Sequence, residues 1–398
     1  MILRSIEIYP AYTLYSTTFR NQSFLSVSIT EKDADAEKTT EEIYSRIADV
    51  LAASSSQIIH ERCFANVNLH KQIQKARAFA LGKRQLPADT PVTFVEGKSC
   101  FGNDIAGFHF RALKPASETN IRTIIDEGIP KGRVWNINGS TFYMLQSIDG
   151  GNTNGVERSN RKAQSEAMFR QAERLLRTQG STYQDVVRTW IYISDILDWY
   201  DDFNIVRNQC YSEYGFIGNT NSLKSAEQIY FPASTGIEGN NPFGRAATMD
   251  IFAVHNSPAS SIKVRPMYGS KQRSPFRYKS AFSRAMAIED AESTLILVSG
   301  TASIDEDGKS VHIGDPAGQI QQTLDVVSEL IAAEGATLKD ICEATVFLKR
   351  RQDFPLYQKI IAQAGITNCP SVNVVADVCR DELLFEIDAA FIVEKQMR

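Results

Sequence analysis

Near the C-terminus, the stretch LLFEIDAAF at residues 383–391 alternates in a way that could put an acid to work. Successive side chains of a strand point to opposite faces, so Phe385, Ile387 and Ala389 share one face and Leu384, Glu386 and Asp388 the other. The apolar face suits packing under helices, which leaves Glu386 aimed at whatever covers the opposite side. A carboxyl in a partly desolvated seam holds its proton more tightly, and general-acid catalysis near neutral pH needs such a neutral acid. Cys379 and Arg380 lie close by in sequence. The competing reading is structural: Glu386 pairs with an arginine across an interface and does no chemistry.

Other chemistries have little support. The six cysteines (63, 100, 210, 342, 369, 379) contain no CxxC pair, which suits reduced and mostly buried thiols. The five histidines (60, 70, 109, 255, 312) contain no HxH, HxxxH or HExxH, so no metal site is expected. Hydrophobic content of 43%, charged content of 23% and a net charge of -4 are ordinary for a globular protein and carry no polyanion-binding signature. The opening MILRSIEIYPAYTLYSTTF has neither the apolar core nor the cleavage site of a secretory signal, and no window approaches the roughly 18 apolar residues of a membrane span. A cytoplasmic location, with no membrane partner, is the expectation.

At 398 residues the chain exceeds the roughly 250–300 at which one core stops growing. A repeat explains the excess. GATLKDICEATVFL at 335–348 echoes GSTYQDVVRTWIYI at 180–193. Before Gly335, Ile320, Leu324, Val327 and Ile331 fall at helical spacing; before Gly180, so do Ala167, Ala172, Leu175 and Leu176. Gln319 and Gln164 each stand sixteen residues before their glycine. A weaker copy carries Ile43, Ile47, Val50 and Leu51, with Ser54 in the glycine's place. Each copy ends on a strand, IAGFHFRAL, ATMDIFAV or LLFEIDAAFIV, and their alignment sets Phe108 and Asp250 opposite Glu386. The reading is three α+β modules, at 1–113, 133–256 and 277–398. The joining segments, 114–132 and 257–276, are rich in Pro, Ser and Gly. The region 256–281 carries six basic residues and no acidic one, which suits a solvated linker or an edge presented to an anion.

SAFSRAMAIEDAESTLILVSGTASID, QIQQTLDVVSELIAAEGATLKDICEATVFLKRRQDF and LLFEIDA resemble, in order and spacing, the YjgF/RidA family, also called endoribonuclease L-PSP. The resemblance covers nearly all of 280–394 and implies chorismate-mutase-like modules, each with helices packed on one face of a mixed sheet. Because the family trimerises with clefts between subunits, three copies in one chain imply a covalent pseudo-trimer, a monomer or a dimer of pseudo-trimers in solution. A narrower set, RTWIYI, FNIVR, PASTGI, FSRA, SGTASI, SVHIGDP and ADVCRDELLFEID, is similar to chorismatases, the YjgF-like enzymes that release pyruvate from chorismate. Two departures are visible: Ile191 stands where that family usually has Asn, and the segment before SAFSRA is shorter.

The resemblance implies a small carboxylate substrate and points at Glu386 as its acid. Protonation of an enol ether at its terminal carbon needs one acid and one water, so no metal or organic cofactor is implied. Arginine forks suit carboxylates, and Arg188, Arg207, Arg284, Arg380 and Lys349 lie in or beside the matching strings. Cys379 is expected to border the cleft, and Gly236 to admit a ligand close to the backbone or to make a turn. The imine or enamine deamination of the wider family uses an arginine near the start of the penultimate strand; Ser371 stands there, with no Arg or Lys between 369 and 379. A non-catalytic binding protein is the third reading. Ribonuclease activity fits poorly with the net charge, and no nucleic-acid partner is expected.

Overall fold

The computed structural model describes residues 1–116, 120–151, 160–216, 230–269 and 281–395. In the first module β1 (Ile2–Ile8), β2 (Tyr12–Phe19) and β3 (Gln22–Ile29) precede α1 (Ala36–Ser54), β4 (Gln57–Ala65) and α2 (His70–Lys83), then β5 (Thr93–Val95), β6 (Lys98–Ser99) and β7 (Ile105–Leu113). The second has β8 (Arg122–Asp126), β9 (Ile129–Ile137), β10 (Ser140–Ile148), α3 (Arg161–Thr178), β11 (Val186–Ile193), α4 (Ile196–Glu213), β12 (Ala233–Glu238) and β13 (Ala247–Asn256). The third has β14 (Lys263–Met267), β15 (Ala285–Glu289), β16 (Ser293–Ala302), α5 (Pro316–Ala332), β17 (Ile341–Leu348), α6 (Phe354–Gln363), β18 (Ser371–Val375) and β19 (Phe385–Glu394).

The three sheets share one topology: β1-β2-β3-β7-β4-β5, then β8-β9-β10-β13-β11-β12, then β14-β15-β16-β19-β17-β18, with β6 of the first module added beyond β18. Each module's last strand lies at the centre of its sheet. The pairs β4–β5, β11–β12 and β17–β18 are parallel. Residues 122–126 and 263–267, inside the segments read as linkers, are edge strands, a place where Pro266 is tolerated because an edge leaves one row of N–H groups unpaired. Of the six basic residues at 256–281, Lys263 and Arg265 lie on β14; the other four lie outside the described residues.

The helices form where the apolar stripe and the caps agree. The Asp315 side chain accepts from Gly318 N, Pro316 opens α5, and Ile320, Leu324, Val327 and Ile331 are buried. Asn160 and Asp35 cap α3 and α1 in the same way. Gly335 and Gly180 take positive φ of 71° and 81° after their helices. In the first module Ser55, rather than Ser54, takes the left-handed place at φ 54°, a conformation that costs a non-glycine residue about 1–2 kcal/mol.

Among the described residues, four apolar clusters hold the modules together. Three lie between each sheet and its own helices, around Ile43 and Phe108, around Phe169 and Phe203, and around Ile320 and Phe385. The fourth fills the interior where the three sheets face one another, and it draws Phe24 and Phe64, Trp190 and Phe252, and Phe347 and Ile392 from the three modules in turn. Phe385, Ile387 and Ala389 pack into the third module's own core, so Glu386 and Asp388 face the neighbouring module.

Candidate active site between the second and third modules

The approach to β19 is fastened by α5. Gln319 Oε1 accepts from Leu384 N at 2.7 Å, and its Nε2 donates to Glu382 O at 2.9 Å, fixing the strand two residues before Glu386. Gln164 makes the matching bond in the second module, accepting from Ala246 N at 3.0 Å. The glutamines noticed for their spacing are therefore latches between the first turn of a helix and the last strand.

Across the seam, β12 lies beside β16. Ser234 N donates to Ser299 Oγ at 2.8 Å, and Gly300 N to Thr235 Oγ1 at 3.0 Å. The Thr235 hydroxyl donates to Asp388 Oδ2 at 3.1 Å and accepts from Arg188 Nη2 at 2.5 Å. The same guanidinium lies 3.4 Å from Asp388 Oδ2 and stands 4.8 Å from the centre of the Trp190 ring. Burial brings Arg188 down to about 10, against the pull of Asp388.

Glu386 is 4% exposed and sits against Gly300, where any Cβ would overlap its Oε1. Burial first, and the charge of Asp388 second, push its carboxyl up to about 8, with Arg188 pulling the other way. Its proton is thus retained through neutral pH. Two carboxyl groups with unlike partners share this strand face: Asp388, bound by Arg188 and Thr235, and Glu386, whose side chain makes no hydrogen bond among the described residues.

The sequence-derived candidates divide into three sets. Glu386, Arg188, Arg207, Cys379 and Arg380 come together, and Gly236 packs against Tyr200 beside them. The partly buried Tyr200 is in electrostatic reach of Cys379, Arg207, Glu386 and Arg380, and burial raises its phenol well above the usual range. A Cβ on Gly236 would lie 3.3 Å from Tyr200 Oη, so the glycine admits a close approach. Burial, then Glu386, push the Cys379 thiol up to about 12, which keeps it protonated and removes it as a nucleophile. Arg207 is 1% exposed, and its Nε and Nη2 have no hydrogen-bond partner among the described residues. Arg380 Nη1 donates to Gly308 O at 2.8 Å and Ser310 Oγ at 3.2 Å. Arg284 is buried just ahead of β15, 5.5 Å over the Phe282 ring. Lys349 stands apart, bound to Asp381 at 2.7 Å and Asp377 at 3.2 Å where all three modules meet. Ile191 packs inside the second module's own core, so its departure from the family pattern does not touch the cleft. The shorter segment before SAFSRA lies outside the described residues.

Tyr200, Thr235, Asp388 and Gly300 were missed as site residues. Asp388 could have been found from the alternation that singled out Glu386, and Gly300 from its place in SGTASI. Nothing local marks Tyr200, because α4 brings it to the cleft from far away in sequence.

The other two seams are built alike but hold no carboxylic acid at this place. The strand register pairs Phe347 with Glu386 and Thr345 with Asp388, Tyr192 with Thr248 and Trp190 with Asp250, and Phe64 with Gly107 and Arg62 with His109. Glu386 therefore corresponds to Thr248 and Gly107, not to Asp250 and Phe108; Asp250 matches Asp388, and Phe108 points into the first module's core. The slip from Thr248 to Asp250 is two residues and keeps the same face, so alternation within the strand does not reveal it. At the first seam Thr93 donates to Asp250 at 2.5 Å and His60 Nε2 donates to it at 2.9 Å, repeating the Thr235–Asp388–Arg188 arrangement. Phe94 occupies Gly236's place there, with its ring against His70 at 5.1 Å. At the third seam Val372 closes over Gly107. Among the described residues no cluster of His, Cys, Asp and Glu is arranged to hold a metal, and no helix is long and apolar enough to cross a membrane.

Comparison with known proteins agrees with this construction. Residues 276–393 match the endoribonuclease L-PSP family. A chorismatase from Streptomyces hygroscopicus is 28% identical over 242 residues, 56% of this chain and 65% of that protein. A 3-hydroxybenzoate synthase from the same organism is 26% identical over 225 residues, 52% of this chain and 63% of that protein. The chain thus spans just under two thirds of the length of these curated relatives. A chorismatase crystal structure superposes with a TM-score of 0.60 at 18% identity, covering 94% of this chain and all of that one, which is a likeness of fold. The third module thus matches the endoribonuclease L-PSP family, and the chain is similar in sequence and in fold to the chorismatases.

Proposed function

We propose that this chain is a chorismatase-like enzyme that hydrolyses chorismate, or a related small carboxylate carrying an enol ether, with release of pyruvate. The observation that carries the proposal is Glu386: a buried carboxyl, protonated near neutral pH, without a hydrogen bond among the described residues, in one seam of three.

Glu386 delivers its proton to the terminal carbon of the enolpyruvyl group, leaving an oxocarbenium at the ether carbon. Water adds to that carbon, and the hemiketal collapses to pyruvate and the ring alcohol as the proton returns to Glu386. Arg207, whose Nε and Nη2 are uncommitted among the described residues, is the first choice for a substrate carboxylate, with Arg380 close to it. Arg188 is committed to Asp388 and Thr235, so its part is to hold the strand face in place. The ligand in this proposal is a small carboxylate rather than a nucleic acid, and the deaminase reading gains nothing, since Ser371 stands at the arginine's place.

Incubation with chorismate and a coupled pyruvate assay tests the proposal. Binding without pyruvate release, followed by fluorescence or calorimetry, would move the chain to the binding-protein reading. The pH dependence has a defined sign. A general acid works while protonated, so the rate should be flat below the Glu386 value of about 8 and fall about tenfold per pH unit above it. A rate that rises through pH 8 contradicts the assignment. Gly300→Ala should lower turnover by about 10²-fold, since the added methyl must displace the acid and small misplacements at a reacting centre cost that much.

A further inference from the structure

Among the described residues, the seven of β1 form the outer edge of the first sheet and pair only with β2, in unbroken register from Ile2 to Ile8. The corresponding edges of the other sheets carry features that discourage pairing. β8 has five residues and a register shift between Ile124 and Ile125. β14 has Pro266, which has no N–H to give, together with Lys263 and Arg265. β1 has no proline, lysine or register shift, and it exposes Leu3 (61%), Ile6 (41%) and Ile8 (82%). A regular edge strand with exposed apolar side chains is a template for another strand.

We propose that β1 pairs antiparallel with β1 of a second copy of this chain, centred on Ser5, so that the two first sheets become one continuous sheet. The occupant follows from the strand's own side chains. Its charged residues are matched within their own chain, Glu7 by Arg46 at 2.7 Å and Arg4 by Asp340 at 3.9 Å, so a copy meets no net charge. The register about Ser5 aligns all seven residues, setting Ile2 against Ile8 of the second copy, Leu3 against Glu7 and Arg4 against Ile6. No like charges stand directly opposite each other, the two Arg4 side chains being diagonal neighbours, whereas the register centred on Arg4 would oppose two guanidiniums directly. The contact is self-complementary, as a twofold interface must be.

Sedimentation velocity and light scattering on the full chain test this. The wild type should dimerise with rising concentration. Ile6→Lys places an ammonium against Arg4 twice per dimer and should weaken association by about tenfold or more. Ile6→Glu places a carboxylate there and should keep the dimer. Thermal melts of both variants should match the wild type, because Ile6 is at the surface. A wild type that stays monomeric, a stable trimer of full-length chains, or equal dissociation of the two variants would overturn the proposal.

Discussion

Replacing Glu386 by Gln is expected to leave ligand affinity nearly unchanged while turnover falls by about 10²–10⁴-fold, the range for lost acid catalysis. The amide keeps the shape of the side chain and can still donate a hydrogen bond, but it cannot give up a proton. Its neighbours should stay where they are: Gly300 leaves the room, and Gln319 holds the strand two residues earlier. The variant should also lose the fall in rate above pH 8, because the group that titrates there is gone. Pyruvate release at the wild-type rate by Glu386→Gln would end the mechanistic assignment. Pyruvate release by neither protein would instead end the substrate assignment and leave the cleft as a binding site.

The largest effect on stability is expected at Glu343, on β17 and away from the cleft. Its carboxylate accepts from Arg62 at 2.7 Å and from Arg111 at 2.8 Å, joining the third module to the first. All three side chains are at most 6% exposed. Burial opposes the charge, yet Arg111, Arg62 and His109 hold the carboxyl well below the usual range. Both guanidiniums stand against the Trp190 ring, 5.0 and 5.2 Å from its centre, on which Arg188 also rests. Glu343→Ala leaves two buried cations beside a third without their shared anion, and breaking a buried pair in this way costs about 3–5 kcal/mol. Urea unfolding should show the midpoint falling accordingly. A loss under about 1 kcal/mol, the size of an ordinary surface change, would mean that water reaches the site and the network is not closed.

The repeated modules were legible in the sequence because helix stripes and their glycine stops are local: Ile320 to Ile331 and Gly335 lie within one short window. Glu386 was legible for the same reason, since two-residue alternation needs only the strand itself. Its correspondence to Thr248 and Gly107 was not, because register is settled between strands, and a slip of two residues, as from Thr248 to Asp250, leaves the alternation of faces unchanged. Tyr200 and Thr235 escaped notice because their roles exist only once α4 and β12 are laid against the third module. Lys349 was the opposite case. A cation beside a matching string looked available, but Asp377 and Asp381 had already claimed it, and nothing in sequence spacing announces that pairing.

The unlike residues at the three seams bear on what one substitution can do. In an assembly of three identical chains, an added acid or a lost glycine is imposed on every seam at once, and the adhesive and reactive surfaces must tolerate the same change. Here the chain is written out three times, so Phe94 can stand at one seam in the place that Gly236 takes at another. Adhesion and reactivity can therefore be altered separately, one seam at a time.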